Sequence, residues 1–214
     1  MSEAIEIVRK AIQQGKMAGS WLVSGGYEYE KKSFISECCS LLFGQDFNDI
    51  STFHPDIKWL ECGLTEAAKK EVQKNILAGK ALTDENALDK KREITIDDIR
   101  EGIRFLSMKG TNSCRVLVIN PADKMNEDAS NALLKILEEP PEKCVIFLLC
   151  QNKGKLLPTI KSRCRKLVLP FLPKEKLKQQ IQELFPALEE VDLVLELSEG
   201  SIGLAREICE LDGD

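Results

Sequence analysis

Two continuous apolar runs, Arg115-Val-Leu-Val-Ile-Asn120 and Cys144-Val-Ile-Phe-Leu-Leu-Cys150, constrain this chain more than any other feature. Neither alternates with polar residues, so each reads as a strand buried on both faces, the pattern of a parallel sheet covered by helices. Parallel neighbours need a crossover, and the residues between the runs supply one. Ala129, Ala132, Leu133, Ile136 and Leu137 recur at helical spacing. Asn126 is placed to cap that helix, Glu127 and Asp128 suit the positive end of its dipole, and Pro140-Pro141 stops it.

The rest of the chain extends the alternation. Residues 2–14 predict an amphipathic helix carried by Ile5, Val8, Ala11 and Ile12. Trp21-Leu22-Val23 predicts a short strand running into Gly25-Gly26, and residues 30–43 a second helix. His54–Leu60 alternates as a half-buried strand would, and 95–106 opens as a helix with acids in its first turn. Residues 64–91 are charged and helix-prone and read as an exposed insertion. A short segment at 155–161 and a strand at 166–169 follow. Past Pro170 and Pro173 only helical patterns occur, at about 174–184, 189–199 and 201–211. The expectation is an α/β chain: a parallel-sheet domain over 1–170, then a small helical domain over 171–214.

Composition narrows the class. Of 214 residues, 43% are hydrophobic and 30% charged, which is ordinary for a soluble globular protein. No apolar run approaches a membrane span and the N-terminus lacks the order of a signal peptide, so a cytoplasmic protein without membrane contact is predicted. A net charge of −5 argues against wrapping nucleic acid with the whole surface, while leaving room for a local basic patch. The eight cysteines contain no Cys-x-x-Cys pair, and several sit in apolar segments; buried thiols are expected, and no metal. His54 is the only histidine and precedes a proline, which predicts a turn and disfavours a histidine-based hydrolase.

Strand, glycine turn and helix at 21–43 form the layout of a phosphate-binding loop. Such a loop needs glycines for close backbone approach, then Lys and Ser/Thr for phosphate and magnesium. In Gly25-Gly26-Tyr27-Glu28-Tyr29-Glu30-Lys31-Lys32-Ser33, Gly25 and Lys31 fit. Glu28 and Glu30 stand where glycine is wanted, Lys32 replaces Ser/Thr, and Ser33 comes one position late. Two carboxylates beside a triphosphate repel it.

Taken in order, Asn131–Pro141, Ser162-Arg163-Cys164 and Ala122–Met125, supported by His54-Pro55-Asp56, Ile96–Arg100 and Gly200-Ser201, resemble the bacterial clamp-loader family. These are the AAA+ subunits that load the sliding clamp for DNA polymerase III in DNA replication. The resemblance implies a P-loop-type parallel sheet followed by a helical lid. It also implies acidic residues after the strand 115–120 in members that hydrolyse ATP. Here Asn120-Pro121 stands there, and Asp123, three residues on, reads better as a turn or cap than as a metal ligand. Gln151 or Asn152 falls where relatives sense the γ-phosphate. Gly203 occupies the place of an arginine, with Arg206 nearly a turn later.

The losses at the loop, at Asn120 and at Gly203 imply the family's non-hydrolysing, delta-prime type, with no cofactor of its own. Arg163 would then act in trans as an arginine finger on a neighbour's γ-phosphate, with Ser162 making a local backbone bond and Cys164 packing. Implied partners are the tau/gamma ATPase subunits and the delta subunit, with the sliding clamp and primer–template DNA reached through the complex.

The basic run Lys153, Lys155, Lys161, Arg163, Arg165 and Lys166 has no intervening acid. It stays open between a solvated face, attraction to a neighbour's nucleotide and contact with DNA phosphates. Leu134, off the apolar face beside Ser130 and Glu138, predicts an exposed contact residue. The family's four-cysteine zinc module is missing between the second helix and His54, and the chain stops at Asp214, where relatives continue into a collar domain. Two rival readings remain: a divergent ATPase binding nucleotide through Lys31, and a stand-alone DNA-binding module using the 153–166 patch.

Overall fold

The computed structural model describes residues 2–26, 28–45, 47, 54–64, 90–91, 93–108, 114–171, 174–186, 188 and 191–197. Helix α1 spans Ser2–Gln13, β1 Gly19–Gly25 and α2 Glu28–Phe43. β2 (Ile57–Glu61) is followed by two short strands, β3 (Gly63–Leu64) and β4 (Lys90–Lys91), which pair antiparallel with each other. Then come α3 (Ile96–Ser107), β5 (Arg115–Asn120), α4 (Glu127–Glu138), β6 (Cys144–Cys150), α5 (Pro158–Arg163), β7 (Arg165–Leu169), α6 (Lys174–Leu184) and α7 (Val191–Leu197). Short 3-10 turns lie at Ala122–Lys124 and Lys153–Lys155. Five strands form one sheet in the order β2-β5-β6-β1-β7, and β2–β5 and β5–β6 are parallel. This is the α/β sheet that the apolar runs require. No helix among the described residues is long and apolar enough to cross a membrane.

The chain divides into two compact units. One comprises Ala18–Trp21 and Pro55–Arg165. Every residue of β5 and β6 is buried, and their register pairs Arg115 with Cys144 and Ile119 with Leu148. The register starts from a turn in which Lys143 adopts a left-handed φ of 58° and its carbonyl accepts the Arg115 N–H at 3.0 Å. Arg115 donates from Nη1 to the Phe105 carbonyl at 2.7 Å, and its guanidinium lies 4.5 Å from the Phe105 ring centroid. The fully buried Asp56 carboxylate is 3.9 Å away. A buried charge held between a carboxylate, a carbonyl and a ring face ties the start of β5 to the segment before β2.

Helix α3 opens at Thr95, whose backbone N–H donates to Asp98 at 2.8 Å. It approaches the sheet through Gly102, where an added Cβ would lie 3.1 Å from Leu60 and Leu117 side-chain atoms. Helix α4 starts as expected, with Asn126 Oδ1 accepting the Ala129 N–H at 2.9 Å. It buries Ala129, Leu133, Ile136 and Leu137, but also Ser130, and leaves Leu134 half-buried. The expected exposed Leu134 is therefore corrected: the buried face is wider than the i, i+3, i+4 stripe and takes in its flank.

The other unit comprises Met1–Met17, Leu22–His54 and Lys166–Asp214. Ala4, Ile5, Val8 and Ala11 of α1 and Phe34, Ile35, Cys38 and Cys39 of α2 are buried. His54 sits among aromatic rings, 4.9 Å from Phe43 and 5.3 Å from Phe47 between centroids. β7, last in the sheet order, buries Leu167 and Leu169 and exposes Val168, as a strand with one covered face does. Helices α6 and α7 share a small core of Leu177, Ile181, Val191 and Val194. The expected helix at 201–211, Gly203, Arg206, Cys209 and most of the 64–91 insertion lie outside the described residues.

At the end of β1, Gly25 has φ +75°, and a Cβ there would meet the Leu169 carbonyl oxygen at 2.2 Å. Gly25→Ala is therefore expected to destabilise the chain by about 2–4 kcal/mol, combining a left-handed backbone with a backbone clash. Urea denaturation reads this; a change under about 0.5 kcal/mol contradicts the close approach.

Seven cysteines among the described residues are free thiols, five of them buried. Burial pushes the Cys164 thiol up to about 12 and Cys114 up to about 11. Unfolded thiols titrate near ~8.5, so between about pH 8.5 and 11 the unfolded chain binds fewer protons than the folded one. Stability then falls as pH rises through that window, and thiols contribute nothing below it. Under reducing conditions, Cys164→Ala should flatten the alkaline limb by up to about 1.4 kcal/mol per pH unit, whatever its packing cost at pH 7. An unchanged slope contradicts this.

Candidate functional site

Three places carry the residues that the sequence singles out. The first is the loop between β1 and α2. Gly25 and Gly26 take positive φ, and both lie against Leu169: a Cβ added at Gly25 would fall 2.2 Å from its carbonyl oxygen, and one added at Gly26 3.2 Å from its Cβ. In this loop the glycines admit the end of β7, with the adjacent Ser24 hydroxyl donating to the Leu167 carbonyl at 3.3 Å. Glu30 and Lys31, in the first turn of α2, are 6% and 3% exposed. Both charged residues are thus buried.

The second place is the carboxyl end of β2, β5 and β6. Asn120, at the end of β5, is in register with Glu61 at the end of β2, and its Nδ2 donates to Glu61 Oε1 at 3.0 Å. Asp123 follows in the 3-10 turn. Its Oδ1 accepts the Gln151 N–H at 2.8 Å and its Oδ2 the Asn152 N–H at 3.3 Å. Asp123 is thus a cap on the chain leaving β6, the role that its spacing suggested over metal binding. Glu61 carries no signal in the linear sequence, because only the β2–β5 register brings it to Asn120. Among the described residues, no group of three or more His, Cys, Asp or Glu is placed to hold a metal ion.

The third place is the basic run. It is not one loop. Lys153 and Lys155 lie in a 3-10 turn, Lys161 to Arg163 end α5, and Arg165 and Lys166 begin β7. Pro158 at the first helical position and the buried Ile160 start and anchor α5, which the charge pattern alone conceals. Lys161 Nζ donates to the Lys153 carbonyl at 3.1 Å, and Arg165 lies over Trp21, 5.0 Å from its ring centroid. Ser162 Oγ donates to the Thr159 carbonyl at 3.0 Å, and Cys164 is buried.

Arg163, the C-terminal residue of α5, keeps its side chain 32% exposed. Nη1 donates to the Thr159 carbonyl at 2.9 Å, and Nε donates to Glu138 Oε1 at 2.8 Å. Nη2 donates to the same Glu138 oxygen. The sequence run contains no acid, but the fold supplies one from the last turn of α4. Arg163 therefore combines a restrained position with an exposed guanidinium, a combination that suits recognition of an external anion.

The profile of the family described as DNA polymerase III, delta subunit, matches residues 1–173. The delta' subunit of DNA polymerase III from Pseudomonas aeruginosa is 39% identical over 82 residues, 38% of this chain and 25% of that protein. The delta' subunit from Buchnera aphidicola is 44% identical over 91 residues, 41% of this chain and 27% of that protein. Among solved structures, a DNA polymerase III gamma subunit-related protein from Thermotoga maritima superposes with a TM-score of 0.65 at 26% identity, covering 97% of this chain and 58% of that one. The chain thus spans about a quarter of the length of these curated relatives. With a family match over four-fifths of its residues, the chain belongs to the DNA polymerase III delta-subunit family, and several of its relatives, the two above among them, are delta-prime subunits.

Proposed function

We propose that this chain serves in DNA replication as a clamp-loader subunit of the delta-prime type, which does not hydrolyse ATP and supplies Arg163 in trans to a neighbouring subunit's ATP. The observation that carries this reading is the 25–33 loop. In a chain of this family, its glycines are taken up by the approach of Leu169, and Glu30 and Lys31 are turned inward. Asn120 at the end of β5 and the backbone-bound Asp123 support it, since neither offers a magnesium ligand free of other duties. Arg163, by contrast, stays at the surface.

A guanidinium delivered in trans neutralises charge that develops on the transferring phosphoryl group, and it does so with planar, paired donors that lysine lacks. On this reading the partners are the tau/gamma ATPase subunits and the delta subunit. The sliding clamp and primer–template DNA are met within that complex, in the cytoplasm. Residues 1–170 form the AAA+ core and 171–214 the lid. Lys153, Lys155 and Lys166 are the members of the basic run left to face DNA phosphates or the neighbour's nucleotide.

Reconstitution with the cognate ATPase subunits, clamp and primer–template tests the proposal. Arg163→Ala is expected to lower the partners' clamp-stimulated ATP hydrolysis by about 10³-fold at a dependent site, and Arg163→Lys to restore little of it. Unchanged hydrolysis with Arg163→Ala sinks the trans role. Magnesium-dependent ATP binding by the isolated chain, lost in Lys31→Ala, would instead favour a nucleotide site of its own.

A further inference from the structure

Glu138 occupies the last turn of α4, the negative end of the helix dipole, where a carboxylate is disfavoured unless a cation faces it. Arg163 is that cation. Its Nε and Nη2 both donate to Glu138 Oε1, and its Nη1 to the Thr159 carbonyl. A guanidinium has five N–H donors. Three are spent in these bonds, and the two that remain sit one on each terminal nitrogen, with no acceptor among the described residues. Donors on the two terminal nitrogens form the fork that bridges two oxygens of a phosphate.

Resting on the function proposed above, we infer that Glu138 is a positioning residue for Arg163. Together with the Thr159 carbonyl, it fixes the rotation of the guanidinium and turns the terminal fork outward, toward a phosphate on a neighbouring molecule. An arginine without this brace must be ordered anew at each encounter, and its donors must find their alignment while the neighbour's phosphoryl group reacts. Both side chains are solvent-exposed, at 32% for Arg163 and 50% for Glu138, so the pair contributes little to folding stability. That separates positioning from scaffolding.

The test uses the reconstituted complex of full chains with partner ATPase subunits, clamp and primer–template. Glu138→Ala should lower kcat for the partners' stimulated ATP hydrolysis by about ten- to a hundredfold, with KM for ATP within about twofold. Glu138→Gln, which keeps an oxygen acceptor, should recover part of the loss. The melting temperature of the chain should stay within about 3 °C. In an Arg163→Ala background, Glu138→Ala should cost nothing further. A wild-type rate in Glu138→Ala, a raised rate, or an equal loss in the Arg163→Ala background overturns the inference. If Arg163→Ala itself is silent, the underlying function fails; if Arg163→Ala is impaired and Glu138→Ala is not, only the positioning role fails.

Discussion

A strand buried on both faces can offer chemistry only at its ends. β5 and β6 have no solvent face along their length, and their hydrogen bonds are committed to neighbouring strands. Polar side chains on these two strands are therefore confined to their ends, with Arg115 at the start of β5 and Asn120 at its close. What gathers there is mutual satisfaction: Asn120 with Glu61, and Asp123 with the N–H groups of Gln151 and Asn152. In a hydrolytic site, carboxylates at such a position would be reserved for a metal and a water. Here they are bonded to Asn120 and to the chain leaving β6.

The distribution of charge follows the same logic on the outside. Glu30 and Lys31 are withdrawn into the interior near the β1–α2 loop, while Arg163 stays at the surface on the end of a six-residue helix. Helix α5 is too short to be stable from propensity alone. Pro158 at its start, the buried Ile160 within it and the buried Cys164 after it hold it in place, and so determine where the arginine emerges.

Much of this was legible in the sequence because it rests on local chemistry. The apolar runs at 115–120 and 144–150, the Asn126 cap and the double proline each act within a few residues, and each leaves a direct trace. The capping role of Asp123 was readable from its place just past a strand. What could not be read depends on register and crossing. Glu61 meets Asn120 only because β2 lies beside β5, and Glu138 meets Arg163 although the two are 25 positions apart in the sequence. The basic run shows the same limit: sequence places its charges in a row, whereas the fold distributes them over a turn, a helix end and a strand. Leu134 shows the limit of stripe counting, since the neighbours of α4 cover more than its apolar residues specify.

The pairing of β3 with β4 bears on how a family of such chains can vary. Gly63 lies opposite Lys91 and Leu64 opposite Lys90, so the two ends of the intervening segment are clasped side by side. With its ends joined in that way, the closure cost of the chain between them changes only slowly with its length, each doubling adding about 0.6 kcal/mol. Evolution can therefore rewrite, trim or lengthen the sequence between the clasps while leaving the sheet and Arg163 undisturbed. The ladder makes this part of the chain a place where one lineage can acquire a contact that its relatives lack.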